Sequence, residues 1–188
     1  MANNRPIKKI LGHPNSLTLF RVAAVPVIVI LLLFPNKPST LVAALFFSVA
    51  AITDFLDGFL ARQKGLISNF GKVMDPIADK LLVSSAFIML ASQQWIPAWI
   101  VCVIIGREIA VTGLRNIAAQ KGKDVSASSL GKYKTGFQIA AIIPLIIHFS
   151  YFTIDFHAIG IIFLWVALIL SVWSGADYFF KFKALLRT

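Results

Sequence analysis

Four aspartates in the first half of the chain have the residue type and spacing of a metal site. Asp54 and Asp57 are three residues apart, and Asp75 and Asp79 are four apart. Residues three or four apart lie on the same face of a helix, so each pair presents two carboxylates in one direction. Carboxylate oxygens with no histidine or cysteine among them suit Mg²⁺ or Mn²⁺ and argue against zinc.

The apolar surroundings of these aspartates make charge compensation necessary. Hydrophobic residues make up 58% of the 188 residues, and only 14% are charged. An aspartate at the centre of a membrane helix costs about 2.5–3.5 kcal/mol, and less toward the interface. Arg62 could form a buried ion pair with one carboxylate, but a single arginine cannot neutralise four. The sequence therefore predicts that metal cations, and phosphates with them, meet at this cluster.

The elements that must position the aspartates are long apolar helices, since the apolar runs are too continuous for the alternating strands of a membrane barrel. Six stretches approach the roughly 20 residues that cross a bilayer, at about 17–34, 39–62, 76–94, 95–118, 132–153 and 157–180. We therefore expect one all-α domain over residues 1–188. It is predicted to be an integral membrane bundle of six transmembrane helices with an N-terminal interfacial amphipathic segment at 1–16.

The connection between the second and third helices decides whether the two aspartate pairs can meet. The second helix is expected to descend to the cytoplasmic side and the third to rise from it, which places all four carboxylates at a similar depth. Asp75-Pro76 is predicted to open the third helix, because a proline at the first helical position after an aspartate is a common start signal.

Basic residues set the expected orientation in the membrane. The net charge is +10, and the connections after the third and fifth stretches contain no lysine or arginine. Most basic residues lie instead in the N-terminal arm, the connections after the second and fourth stretches, and the C-terminal tail. The positive-inside rule then predicts cytoplasmic termini and a cytoplasmic aspartate cluster. Topology and anionic lipids account for the basic excess, and we expect no nucleic-acid partner.

The aspartates belong to a longer pattern that resembles a known family. Residues 54–79 read DFLDGFLARQKGLISNFGKVMDPIAD and match D-x2-D-G-x2-A-R-x8-G-x3-D-x3-D, the signature of the CDP-alcohol phosphotransferases, at every fixed position. The resemblance implies six transmembrane helices, a homodimer and a polar cavity that faces the cytosol. It also implies two Mg²⁺ or Mn²⁺ ions per active site, bound by Asp54, Asp57, Asp75 and Asp79.

The same resemblance assigns further roles by motif position. Asp79 is implied to act also as the general base. Contacts to the cytidine diphosphate group are implied for Gly58, Ala61, Arg62 and Gly71, although close helix packing is an alternative for Gly58 and Ala61. Two cations would neutralise charge on the diphosphate while an alcohol oxygen attacks the lipid-side phosphorus and CMP leaves.

A second group of polar residues concerns the acceptor alcohol. Cations near the cytoplasmic ends of the first, fourth and fifth helices are candidate ligands of an acceptor phosphate: Arg21, Arg107, Arg115, Lys132 and Lys134. Roles in topology and lipid contact are the alternative for these cations. Glu108 is adjacent to Arg107 and is expected to point away from it, toward another group.

Segments around these cations resemble the bacterial phosphatidylglycerophosphate synthases within the family. They are PNSLTLFR (14–21), GREIAVTGLR (106–115) and SSLGKYKTGFQ (128–138). The implied reaction joins CDP-diacylglycerol and sn-glycerol 3-phosphate to give phosphatidylglycerol phosphate and CMP. The implied location is the bacterial inner (plasma) membrane, where the protein would be multi-pass and surrounded by membrane lipids.

Three alternatives stay open. Another family member with inositol phosphate as acceptor would also use several cations. An intramembrane Mg²⁺-dependent prenyltransferase also has paired aspartate motifs, but those motifs usually lie on well-separated helices. A divalent-cation transporter often shows internal repeats and broken helices, and the sequence shows neither.

Overall fold

Helices form nearly all the regular structure that this chain shows. The computed structural model describes the backbone of residues 14–64, 69–120, 129–151 and 153–186. In these ranges the helices are α1 Pro14–Leu33, α2 Lys37–Lys64, α3 Asn69–Ser92, α4 Ala98–Gln120, α5 Ser129–Ile147 and α6 Phe156–Leu186. The only other pairing there is an isolated bridge between Tyr151 and Ile154. The all-α prediction is therefore confirmed for the described part, and residues 1–13 of the predicted arm lie outside it.

The helices group into two compact units, Met1–Met89 and Leu90–Thr188. In the first unit α1 packs against α2, and in the second α6 packs against α4 and α5. Buried residues recur every three or four positions, as expected for helices that bury one face. On α1 they include Ala24, Ile28 and Leu32, and on α2 Thr40, Ala43, Phe47 and Ala50. On α6 the buried stripe begins with Leu164, Ala167 and Leu168, then becomes polar at Ser171, Ser174 and Tyr178.

A reciprocal cap sets the start of α2 two residues earlier than the predicted position. The Ser39 backbone N–H donates to Asn36 Oδ1 at 2.9 Å, and the Asn36 N–H donates to Ser39 Oγ at 2.9 Å. Two backbone donors that the helix leaves without partners are thereby satisfied, so the helix begins at Lys37.

Residues in the left-handed region end α3 and α5 earlier than the apolar runs suggest. Gln94 has φ 60° and His148 has φ 56°. A right-handed helix cannot continue through such a residue. After α3 the Trp95 N–H donates to the Leu90 carbonyl at 3.0 Å, and after α5 the His148 N–H donates to the Pro144 carbonyl at 3.0 Å. The fifth helix therefore ends at Ile147, before the predicted position 153.

The predicted start of the third helix at Asp75-Pro76 is wrong. The backbone is already helical from Asn69, so Pro76 lies inside α3. Pro26 and Pro144 likewise lie inside α1 and α5. A proline removes one backbone donor and favours a helix start, but it does not prevent a turn of helix before it where the freed carbonyl finds another partner.

Helix α6 is long and apolar enough to cross a membrane. Its segment Phe156–Phe182 has 27 residues. The most apolar 18-residue stretch of this segment has a mean hydropathy of 2.3, and 28% of it is buried. Large apolar residues therefore remain exposed along one side of it, among them Ile162, Trp165, Ile169 and Val172. In the described part of the chain, the shorter apolar helical segments are Thr18–Leu33, Lys37–Thr53 and Tyr133–Ile147.

The contact of α5 with α6 depends on a glycine. A Cβ at Gly160 would lie 2.5 Å from Leu145 Cγ and 3.0 Å from the Leu145 backbone nitrogen. We expect Gly160→Ala to lower the free energy of unfolding by about 1–3 kcal/mol, because the backbone atoms cannot move aside cheaply. Melting in detergent measures this loss. Gly136→Ala on α5 is the control, since nothing lies within 4 Å of that Cβ position; an equal loss in both variants would contradict the packing argument.

The loop after α5 should make stability depend on pH. The His148 ring stacks on Trp95 with centroids 3.9 Å apart and lies 4.8 Å from the His157 ring. Burial lowers the pKa of His148, as does the nearby His157, while Asp155 acts in the opposite direction. Because the folded pKa is below the unfolded value, this contribution is present above about pH 6.5 and is lost as the pH falls below it.

We therefore expect the melting temperature in detergent to fall between about pH 8 and about pH 5. His148→Asn should reduce this pH dependence, because asparagine tolerates the left-handed backbone and does not titrate. An unchanged dependence in the variant would show that other groups cause it.

Candidate active site

Two successive helices carry the predicted metal ligands. Asp54 and Asp57 lie in α2, and Asp75 and Asp79 lie in α3. The backbone is helical at all four positions, so each pair shares a helix face, as the spacing predicts. The Asp79 side chain is half-buried. Seven other predicted site residues of these two helices have side chains outside the described part: Asp54, Asp57, Asp75, Gly58, Ala61, Arg62 and Gly71.

The chemistry of this donor set fits a hard divalent cation. Four carboxylates on two helix faces offer oxygen ligands only, which is the set that Mg²⁺ and Mn²⁺ prefer. Among the described side chains, which include Asp79 alone of the four, no group of three His, Cys, Asp or Glu residues could hold a metal ion. The meeting of the four carboxylates stays a prediction.

Arg107 of α4 lies against α6. Its Nη2 donates to Ser174 Oγ at 2.8 Å, and its Nη1 lies 3.3 Å from Glu108 Oε1. The side chain is only 11% exposed, so these partners replace most of its contact with solvent. The expectation that Glu108 points away from Arg107 is wrong. Both side chains are long enough to meet although their Cβ atoms leave the helix in different directions.

Glu108 also joins α4 to α5. Lys134 Nζ donates to the same Oε1 atom, with Lys134 5% and Glu108 17% exposed. One carboxylate thus pairs with two cations from different helices. The sequence-based expectation that Glu108 serves another group is met by Lys134, which is one of the predicted phosphate ligands.

Arg115 lies two turns after Arg107 on α4 and contacts the same partner helix. Its Nη2 donates to the Tyr178 hydroxyl at 2.7 Å, and its guanidinium carbon lies 5.5 Å from the centre of the Tyr178 ring. Tyr178 is buried. Ser174 and Tyr178 are one helical turn apart, so one face of α6 supplies a hydroxyl to each arginine.

We call Arg107, Arg115, Lys134 and Glu108 the cation cluster. Its three cations and one carboxylate leave a positive excess of two charges among these residues. Two other predicted ligands are not placed in it. Arg21 is buried in α1 of the first unit, and the Lys132 side chain lies outside the described residues.

Sequence reasoning missed Ser174 and Tyr178. Both continue the buried stripe of α6 at steps of three and four residues, so the periodicity of that helix was the signal that could have found them. Asp177, near the end of the same helix, pairs with Lys181, whose Nζ lies 2.6 Å from Asp177 Oδ2.

Comparison with known proteins places these residues in a family. The family model described as CDP-alcohol phosphatidyltransferase matches residues 11–173, which is most of the chain. The chain belongs to the CDP-alcohol phosphatidyltransferase family. As a member of this family, it is a transferase.

Three relatives of similar length share the name CDP-diacylglycerol–glycerol-3-phosphate 3-phosphatidyltransferase. The relative from Bacillus subtilis (strain 168) is 43% identical over 187 residues, covering 93% of this chain and 97% of its own. Those from Rickettsia bellii (strain RML369-C) and Shigella flexneri serotype 5b (strain 8401) are 39% and 37% identical, covering 88% of this chain and 92% and 91% of their own.

The cation cluster should depend strongly on its carboxylate. Glu108→Gln keeps the side-chain shape but leaves Lys134 and Arg107 without their shared counterion, and we expect a loss of about 3–5 kcal/mol in unfolding free energy. Asp177→Asn is the matched control. Its partner Lys181 is 55% exposed, and such surface pairs contribute about 0–1 kcal/mol. Equal melting temperatures for the two variants in detergent would contradict the interpretation of Glu108.

Proposed function

We propose that this chain transfers the phosphatidyl group of CDP-diacylglycerol to sn-glycerol 3-phosphate, giving phosphatidylglycerol phosphate and CMP. One observation carries the proposal: relatives with that printed activity cover nearly the whole chain at 37–43% identity. The complete aspartate motif in residues 54–79 supports the phosphatidyl-transfer chemistry. The positive excess of the cation cluster supports a phosphorylated acceptor.

The protein acts, in this proposal, as a bundle of six transmembrane helices in the bacterial inner membrane and as a homodimer. The six helices have 19 to 31 residues, and about 20 residues span the hydrocarbon core. The exposed apolar side of α6 would then contact lipid or the second subunit. The distribution of lysine and arginine supports cytoplasmic termini and a cytoplasmic active site.

Mg²⁺ or Mn²⁺ would be held by Asp54, Asp57, Asp75 and Asp79, with two ions per active site. When bound, the ions would supply positive charge that stabilises the diphosphate during transfer. Asp79 would accept the proton of the attacking hydroxyl group. The glycines and alanine of the motif, Gly58, Ala61 and Gly71, would leave room for the cytidine diphosphate, and Arg62 would donate to its phosphate oxygens.

The acceptor phosphate would bind at the cation cluster, with Arg21 and Lys132 as further ligands. A phosphate monoester has a charge of about −1.5 to −2 at neutral pH, which matches the excess of two positive charges. Arginine forks bind phosphate oxygens in pairs, and this geometry orients the acceptor hydroxyl as well as holding the phosphate.

A second candidate function uses the same residues with inositol phosphate as the acceptor. The cation cluster favours it equally, because a cation recognises the phosphate and not the alcohol. The names of the relatives favour glycerol 3-phosphate.

CMP release in detergent tests the proposal. The purified protein is given CDP-diacylglycerol, Mg²⁺ or Mn²⁺, and glycerol 3-phosphate, inositol phosphate or serine in parallel. We expect CMP release with glycerol 3-phosphate and loss of release after chelation of the metal. Asp79→Asn should stop turnover while binding of CDP-diacylglycerol persists, whereas Asp177→Asn should retain turnover. Release with inositol phosphate alone, or full activity in chelator, would contradict the proposal.

A further inference from the structure

The polar end of α6 contacts both arginines of the cation cluster. The names of the relatives assign this part of α6 no role. We propose that Ser174, Gly175 and Tyr178 are positioning residues that set Arg107 and Arg115 for the phosphate of the acceptor. The inference rests on the proposed function. It deepens that function by adding residues that orient the arginines for the acceptor phosphate and do not touch the acceptor themselves.

Ser174 presents an oriented hydrogen-bond acceptor to Arg107. Its Oγ donates to the Ser171 carbonyl of its own helix at 3.3 Å and accepts from Arg107 Nη2 at 2.8 Å. Because its only proton is directed to the helix, the hydroxyl can offer only lone pairs to the guanidinium. Ser174 is fully buried, so water does not compete for this contact. The contact therefore fixes the direction of the guanidinium plane.

Gly175 provides the surface on which Arg107 lies. A Cβ at this position would be 3.0 Å from Arg107 Cγ and 3.5 Å from Arg107 Nε. The arginine stem thus crosses the α6 backbone where a side chain is missing. An alanine would push the stem outward while Ser174 and Glu108 hold the two Nη atoms, so the guanidinium would have to tilt.

Tyr178 repeats the arrangement one turn later. Its hydroxyl accepts from Arg115 Nη2 and its ring lies near the same guanidinium, 5.5 Å from ring centre to carbon. A hydroxyl acceptor is neutral, so it orients an arginine without cancelling its charge. A carboxylate at either position on α6 would instead neutralise the group that has to bind phosphate.

The contacts that Arg107 makes leave some of its donors for a ligand. A guanidinium has five N–H groups, and the contacts from Arg107 use Nη1 for Glu108 and Nη2 for Ser174. Its buried Nε has no hydrogen-bond acceptor in the part of the chain that the structure describes. Such a donor destabilises the ligand-free protein. A phosphate oxygen is the kind of acceptor that would satisfy it.

Acceptor kinetics test the positioning role. We expect Ser174→Ala, Gly175→Ala and Tyr178→Phe each to raise the KM for glycerol 3-phosphate by about tenfold, since a hydrogen bond to a charged group is lost or distorted. The KM for CDP-diacylglycerol should stay within about twofold, below the effect of one neutral hydrogen bond. Ser174→Thr should have a KM for glycerol 3-phosphate close to that of the wild type, because threonine keeps the hydroxyl.

Matched controls lie on the same helices. Ser171→Ala removes an equally buried hydroxyl of α6 whose Oγ has no partner among the described residues. Gly113→Ala adds a methyl group to α4 where nothing lies within 4 Å. Both should leave the acceptor KM unchanged. Protection from thermal unfolding by glycerol 3-phosphate gives a second readout, and the melting temperature without ligand shows whether each variant is folded.

The outcomes separate the two claims. A wild-type protein that releases no CMP with glycerol 3-phosphate overturns the proposed function and this inference with it. An active wild type in which Ser174→Ala behaves like Ser171→Ala overturns the inference alone. An equal rise in the KM of both substrates also overturns it, because it indicates a general structural role. If Ser174→Ala does not fold, Gly175→Ala and Tyr178→Phe decide the question by the same comparison.

Discussion

Charged groups inside an apolar helical protein need compensation close at hand, and this constraint explains where the polar residues lie. Glu108 shows it most clearly, since one carboxylate pairs with Arg107 from its own helix and with Lys134 from α5. Desolvation of a lone cation would cost several kcal/mol, so a buried charged side chain almost always has a partner of opposite charge or a hydrogen-bonding partner. The same reasoning applies to the aspartates, whose compensation is proposed to come from metal ions and a diphosphate.

The sequence was sufficient to predict the helices but not their ends. Apolar runs long enough to cross a membrane predicted six helices, because backbone groups in lipid must pair within one segment. The ends depend on single residues: the cap at Asn36 and the left-handed backbone at Gln94 and His148 moved boundaries by two to six residues. The start of α3 also differs from the prediction, since the helix begins at Asn69 and not at Pro76. A proline permits a helix start without requiring it.

The candidate site was predictable where chemistry demands rare residue types. Aspartates and arginines in apolar helices are conspicuous, so the cations at 107, 115 and 134 could be named from the sequence alone. Ser174 and Tyr178 are common residues in an apolar helix, and their role depends on which face of α6 meets α4. Three-dimensional packing decides which face of α6 meets α4. It also decides that Glu108 contacts its sequence neighbour Arg107. The aspartates at 54, 57 and 75 rest on the motif alone.

The close contact at Gly160 has a consequence at the far end of α6. Ser174 lies fourteen residues further along the helix, about 21 Å at 1.5 Å per residue. A rotation of α6 by about five degrees about the Leu145 contact would move the Ser174 hydroxyl by about 2 Å over that length, enough to break a bond of 2.8 Å. The crossing angle of two apolar helices therefore has to be accurate to a few degrees for the guanidinium to keep its orientation.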